Sequence, residues 1–248
     1  KEAWRWISDG QSGFEIKKDV KKDNGTSITI HLNDEGKEFA SRWQIENLVK
    51  KYSDHIDFPI FLTYPEIDYD DEGKEKGREL KTDQVNDAKA FWTRSKNELK
   101  KKDYNEFYKS FSNDIDDPFE WVHFRAEGNL EFTILFFIPK KASPDIYRAD
   151  YQSGVKLYVN RVFITDDDKE LLPPWLRFVR GIIDSSDLPL NVSREILQQN
   201  RIMAKIKSNS VKKILDKLKT IAGDKDKYAK FFDQYGRLIK EGVYQDFE

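Results

Sequence analysis

Residues 184–200, DSSDLPLNVSREILQQN, hold the side chains in this sequence best spaced to do chemistry. Pro189 disfavours helical geometry at Leu188, so the chain should run extended there. Asn191 or Ser193 can cap a helix that follows. Arg194 then falls in its first turn, and Gln198 lies one turn further along the same face. A guanidinium is permanently charged and presents a rigid planar fork suited to phosphate oxygens. Leu188, Leu190, Ile196 and Leu197 would brace that fork from behind. The competing reading is a surface arginine paired with an acid such as Glu195. By pattern alone, that is the plainer of the two.

Other constellations are weaker. Asp68, Asp70, Glu72, Gly73 and Glu79 fall at ligand positions of a calcium-binding loop. Lys74 and Lys76 stand where neutral ligands belong, and no convincing amphipathic helix flanks the stretch, so a solvated acidic segment is expected. Asn24-Gly25-Thr26 and Asn191-Val192-Ser193 match a glycosylation acceptor, which without secretory context reads as coincidence. Neither GxxxxGK nor GxGxxG occurs, which excludes nucleotide binding by those devices. His31, His55 and His123 are scattered and read as partners in local hydrogen bonds, so no metal site is expected. Cysteine is absent, which removes disulfides, thiolate metal sites and cysteine nucleophiles. That composition fits a reducing compartment, and a cytoplasmic protein is expected. The lysine clusters at 100–102 and 212–219 read as solvated helix faces. With a formal charge of −2, no global basic field draws in nucleic acid or an acidic membrane. No apolar run approaches the roughly 18 residues of a membrane span.

Elements must position these groups. A chain of 248 residues can build one or two domains. Charged residues reach 35%, yet 14% aromatics are too many for a disordered chain. Strands are predicted at 13–18, 25–32, 58–64, 120–126, 130–138 and 155–164. Apolar residues spaced by three or four predict helices at 39–52, 103–112, 171–183 and 194–203. The stripe of the last continues through Ile221, with Gly223 as its stop, and 227–240 forms a final helix. Acids outnumber bases across 65–90 and apolar anchors are few, which predicts a charged, mobile linker. Mixed strands and helices, with neighbouring strands antiparallel, define an α+β class. The start at Lys1 and the end at Glu248 lead us to expect a fragment.

LPLNVSREILQQN (188–200) resembles a signature of the ninety-kilodalton heat-shock chaperone family. FWTRSKNEL (91–99), YNEFYKSFSND (104–114), LEFTILFFIPKKAS (130–143) and KLYVNRVFITDD (156–167) look like that family's middle domain, in order. Upstream, WISDG (6–10), GTSITIHL (25–32) and KKYSDHI (50–56) look like the end of its nucleotide-binding domain. The resemblance covers nearly the whole chain outside the linker.

It implies an organisation of 1–64 as the end of the ATP-binding domain, 65–90 as a short linker, and 91–248 as the large part of a middle domain. The implied middle domain is a three-layer α-β-α sandwich with trailing helices. The family uses ATP with Mg2+ to drive protein folding. By resemblance, Arg194 reaches the γ-phosphate, Gln198 supports that contact, and Asn191 shapes the loop. Thr26 matches a threonine near the bound adenine, and Trp92 matches a tryptophan linked to client contact. The implied partners are client proteins, the protein's own missing nucleotide-binding and C-terminal domains, and a second copy in a full-length homodimer. The family's catalytic Glu, magnesium-holding Asn, adenine-reading Asp and glycine-rich lid have no counterpart in this sequence. We therefore expect the parent protein to be an ATPase, and this chain by itself neither to bind ATP tightly nor to hydrolyse it. Two other readings are a passive protein-interaction module and a related ATPase of the DNA mismatch-repair kind. The family-specific stretches and the lack of a basic face argue against the latter.

Overall fold

The computed structural model describes residues 2–69, 75–148, 150–166, 171–189 and 201–245. The fold is α+β, and the chain divides into two compact units, Lys1–Ser41 and Arg42–Glu248.

In the first unit β1 (Ala3–Ser8) pairs antiparallel with β2 (Phe14–Asp19). Their connection is set by Asp9, whose carboxylate accepts the backbone N–H groups of Gln11 and Ser12 at 2.9 and 2.8 Å. Gly10 and Gly13 take the positive φ values that the turn requires, 78° and 119°. Trp6 stacks on Phe14 across the hairpin. The strand expected at 25–32 does not form, and residues 26–32 are irregular and exposed. Alternating β-branched residues make a strand only where a neighbour takes up their backbone polar groups. The ladder of this unit is the β1–β2 pair.

The second unit opens with α1 (Arg42–Tyr52), as its apolar spacing predicts. The segment expected as a linker is instead largely a long antiparallel hairpin, β3 (Phe61–Tyr69) and β4 (Glu75–Gln84). Its charges pair across strands instead of marking disorder. Lys81 meets Glu66 at 3.4 Å, Thr63 and Thr82 share a hydroxyl hydrogen bond, and the Tyr64 hydroxyl donates to Asp83. The Arg42 guanidinium lies over the Tyr64 ring at 3.8 Å. A hairpin also replaces the helix–loop–helix frame that a calcium loop needs.

Two 3-10 turns, Phe91–Thr93 and Lys96–Glu98, lead into α2 (Lys101–Ser112). Then come β5 (Glu120–Ala126), β6 (Phe132–Ile138), β7 (Gly154–Val159) and β8 (Val162–Thr165). The helix expected at 171–183 is not one. Pro174–Leu176 make a single 3-10 turn, and β9 (Arg180–Ser185) is a strand. Pro173 and Pro174 stand at the start of that turn, and the β-branched Ile182 and Ile183 that follow favour a strand. Gly181 has φ 145°, and a Cβ there would collide with the Leu135 carbonyl oxygen. β9 therefore slots between its neighbours at the centre of a five-stranded sheet ordered β5-β6-β9-β7-β8. It runs antiparallel to β6 and parallel to β7.

Each face of this sheet is covered. Phe132, Ile134, Phe136 and Ile138 of β6 pack in one cluster with Met203, Ile206 and Ile214 of α3 (Arg201–Ala222) and Phe231, Tyr235 and Leu238 of α4 (Lys225–Gln245). Leu135 and Phe137 face the other way, against Trp92, Tyr104 and Tyr108. A strand buried on two faces needs an unbroken apolar run, which explains FTILFFI. Glu120 of β5 accepts from Lys217 of α3 at 2.9 Å and Lys227 of α4 at 2.7 Å, which ties both helices to the sheet edge. Among the described residues no helix is long and apolar enough to cross a membrane.

Candidate functional site

The carboxyl end of β9 is the best-built polar cluster of the second unit. Asp184 is only 8% exposed, so its carboxylate needs hydrogen bonds to be tolerated there. It has them. Trp92 donates from Nε1 at 2.7 Å, and the backbone N–H of Arg161 donates at 3.1 Å. Arg161 can do so because it and Asn160 adopt positive φ, 64° and 50°, in the tight turn between β7 and β8. Its own side chain pairs with Asp57.

Trp92 is held from several sides. His55 meets it edge-on with ring centres 4.8 Å apart, and Tyr158 lies 5.0 Å away. His123 donates from Nε2 to the Trp92 carbonyl at 2.9 Å, and its Nδ1 accepts from the Tyr104 hydroxyl at 2.8 Å. The carbonyl can only accept, so Nε2 carries a proton, while the Tyr104 hydroxyl can donate to Nδ1. Burial, with the Lys96 ammonium adding to it, holds the His123 pKa below the usual histidine range, despite the opposing effect of the Trp92 carbonyl.

The chain leaving β9 is anchored as well. Ser185 donates from its hydroxyl to the Glu131 carbonyl at 3.0 Å and accepts the Asp187 backbone N–H. The Asp187 carboxylate in turn accepts the Glu131 N–H at 2.6 Å. Leu188 is buried in the large apolar cluster. These contacts fix the base from which residues 190–200 continue. A cavity of about 140 Å3 opens there, lined by Thr93, Arg125, Glu131, Asn160, Arg161 and Asp184 among others. It is too small for a nucleotide, since small-molecule sites run from about 300 Å3 upward. Its arginines are also engaged, Arg161 by Asp57 and Arg125 by Glu127. ATP does not fit the described residues of this cavity.

Of the residues singled out from sequence, Asn191, Arg194 and Gln198 lie outside the described residues. Thr26 sits exposed in the irregular part of the first unit. Trp92 is fully buried, so in this structure its ring turns inward to Asp184 and offers no surface to a partner. Asp184, Arg161 and His123 were not found by sequence reasoning as site residues. The available signal for Asp184 was a carboxylate at the end of the apolar run GIID, which a buried strand accepts only with donors in place.

A profile described as Hsp90 protein matches residues 64–248. The chain belongs to the Hsp90 protein family. It is 56% identical over 249 residues to the chaperone protein HtpG of Helicobacter pylori strain J99, covering 100% of this chain and 40% of that protein. It is 60% identical over 246 residues to HtpG of Wolinella succinogenes, covering 99% of this chain and 39% of that one. HtpG of Treponema denticola is 53% identical over 259 residues. The chain thus spans about two fifths of the length of these curated relatives.

Proposed function

We propose that this chain is the joining and middle portion of an ATP-dependent chaperone that binds and remodels unfolded or partly folded client proteins in the cytoplasm. The observation that carries the reading is similarity across this whole chain, at 56% and 60% identity, to proteins named chaperone protein HtpG. In this proposal Arg194 supplies the chain's cationic contact to the γ-phosphate, and Gln198 and Asn191 hold that contact in place. A preplaced cation stabilises the charge that develops on a transferring phosphoryl group. The nucleotide itself, with Mg2+, is held mainly by a domain beyond this chain, with Thr26 near the adenine. The described residues contribute the foundation. β9, Ser185 and Asp187 fix where the 190–200 segment starts, and Asp184 links that start to Trp92. Trp92 would then influence client contact from within the fold. Clients, the adjoining domains and a second copy of the full-length protein are the partners of this reading.

The deciding experiment compares the complete protein with its Arg194→Ala variant. Turnover of ATP should fall by about a hundredfold, while nucleotide affinity stays within about threefold, because the contact is made in the transition state. An unchanged turnover would remove the role of Arg194 and leave a passive interaction module.

A further inference from the structure

We infer that Asp54, His55 and Asp87 form a binding site for a zinc-class divalent cation, at the junction between the end of α1 and the end of β4. Each residue offers one ligand atom, and the three atoms lie within 4.8 Å of one another. One imidazole nitrogen and two carboxylate oxygens suit a borderline cation such as Zn2+, whose ligand bonds are about 2.0–2.2 Å and which leaves a position for water. A hard cation such as Ca2+ prefers six or more oxygens, so the imidazole argues for the zinc class.

A second observation points to a cation. Two carboxylates this close repel each other unless a positive charge lies between them. Among the described residues neither Asp54 nor Asp87 is in an ion pair. Lys50 borders the same cavity as the two carboxylates and can offset only one of their two charges. Arg42 is engaged by Glu46 and Asp83, and Arg161 by Asp57. Both carboxylates also border an open cavity of about 550 Å3, where Glu46, Asp54, Asp83 and Asp87 face only Arg42 and Lys50. That cavity gives a hydrated ion its route in, and its excess of carboxylates draws the ion there.

The frame is rigid enough to hold a geometry. Asn86, 6% exposed, donates from Nδ2 to the carbonyls of Ser53 and Phe58 and accepts the Ile60 N–H. The Asp87 N–H donates to the Asp54 carboxylate at 3.0 Å, and the Ala88 N–H donates to the Asp54 carbonyl at 3.0 Å. His55 lies against Trp92, so an ion there would clamp α1 to the segment that carries the tryptophan.

The test titrates metal-stripped protein with zinc chloride by calorimetry, with calcium and magnesium chloride in parallel. The expected result is one zinc per chain with micromolar or tighter affinity, and calcium and magnesium at least about tenfold weaker. His55→Gln and Asp87→Asn should each weaken zinc about tenfold or more, while His31→Gln leaves it unchanged. Asp87 is exposed and its backbone bond survives in the amide, so that variant keeps the fold. The site is refuted if zinc gives no binding heat, if both site variants bind as the parent does, or if calcium or magnesium matches zinc.

Discussion

Trp92, Asp184 and His123 show how single side chains are made dependent on one another. The Asp184 carboxylate tolerates burial because the indole N–H and one backbone N–H meet it. Trp92→Phe deletes the indole donor and shrinks a fully buried ring, so it should destabilise the chain by at least the roughly 1–3 kcal/mol that leaving a buried acceptor short costs. Denaturant midpoints measure this, and a midpoint equal to the parent's would show that the bond contributes nothing. His123 gives a pH signature. Its folded pKa is depressed from 6.5, so the folded state resists taking up the proton that the unfolded state accepts. The stability it contributes is complete above about pH 6.5 and is lost as pH falls through the lower folded value. The melting temperature should drop between about pH 7.5 and pH 5.5 in the parent, and drop less in His123→Gln. Equal slopes would contradict the assignment. None of this network was legible from residue types, because its members lie far apart along the chain and meet only across the sheet.

Among the elements, β9 decides the most. From sequence, 171–183 reads as a helix because its apolar residues are dense and Pro173–Pro174 look like a helix start. The structure makes it the central strand, since only Gly181 lets β9 approach β6 this closely. Gly181→Ala should cost about 3 kcal/mol or more, through both the unfavourable φ and the collision with Leu135. Soluble yield and a denaturant midpoint report it, and a variant as stable as the parent would sink the argument. The hairpin of β3 and β4 shows the opposite failure. Its charge density reads as a linker, yet alternate charges and hydroxyls find cross-strand partners. By contrast α2, α3 and α4 were legible because each carries an apolar period matched to the face it buries, and β6 because its unbroken apolar run suits a strand covered on both faces.

For the whole molecule, the relevant fact is that the chain spans about two fifths of its curated relatives. Its described residues hold a sheet with both faces covered, and the sequence has no counterpart of the family's catalytic Glu and magnesium-holding Asn. The chain alone should therefore show no ATP turnover above buffer. Adding the separated nucleotide-binding domain should raise that domain's turnover only if Arg194 is intact. Detectable hydrolysis by the chain alone, abolished by Arg194→Ala, would overturn the division of labour proposed for the parent protein.

The sequence by itself determined the family, the α+β class and most helices, because local periodicity and long specific stretches such as 188–200 survive in one dimension. Tertiary structure alone decided that 25–32 is not a strand, that 171–183 becomes a turn and the central strand, and that Trp92 turns inward to Asp184. It also brought Asp54 and His55 beside Asp87. The reason is common to all four. Whether a segment pairs, whether a carboxylate finds its donors, and which groups converge on an ion depend on partners distant in the chain, and local preference carries no record of them.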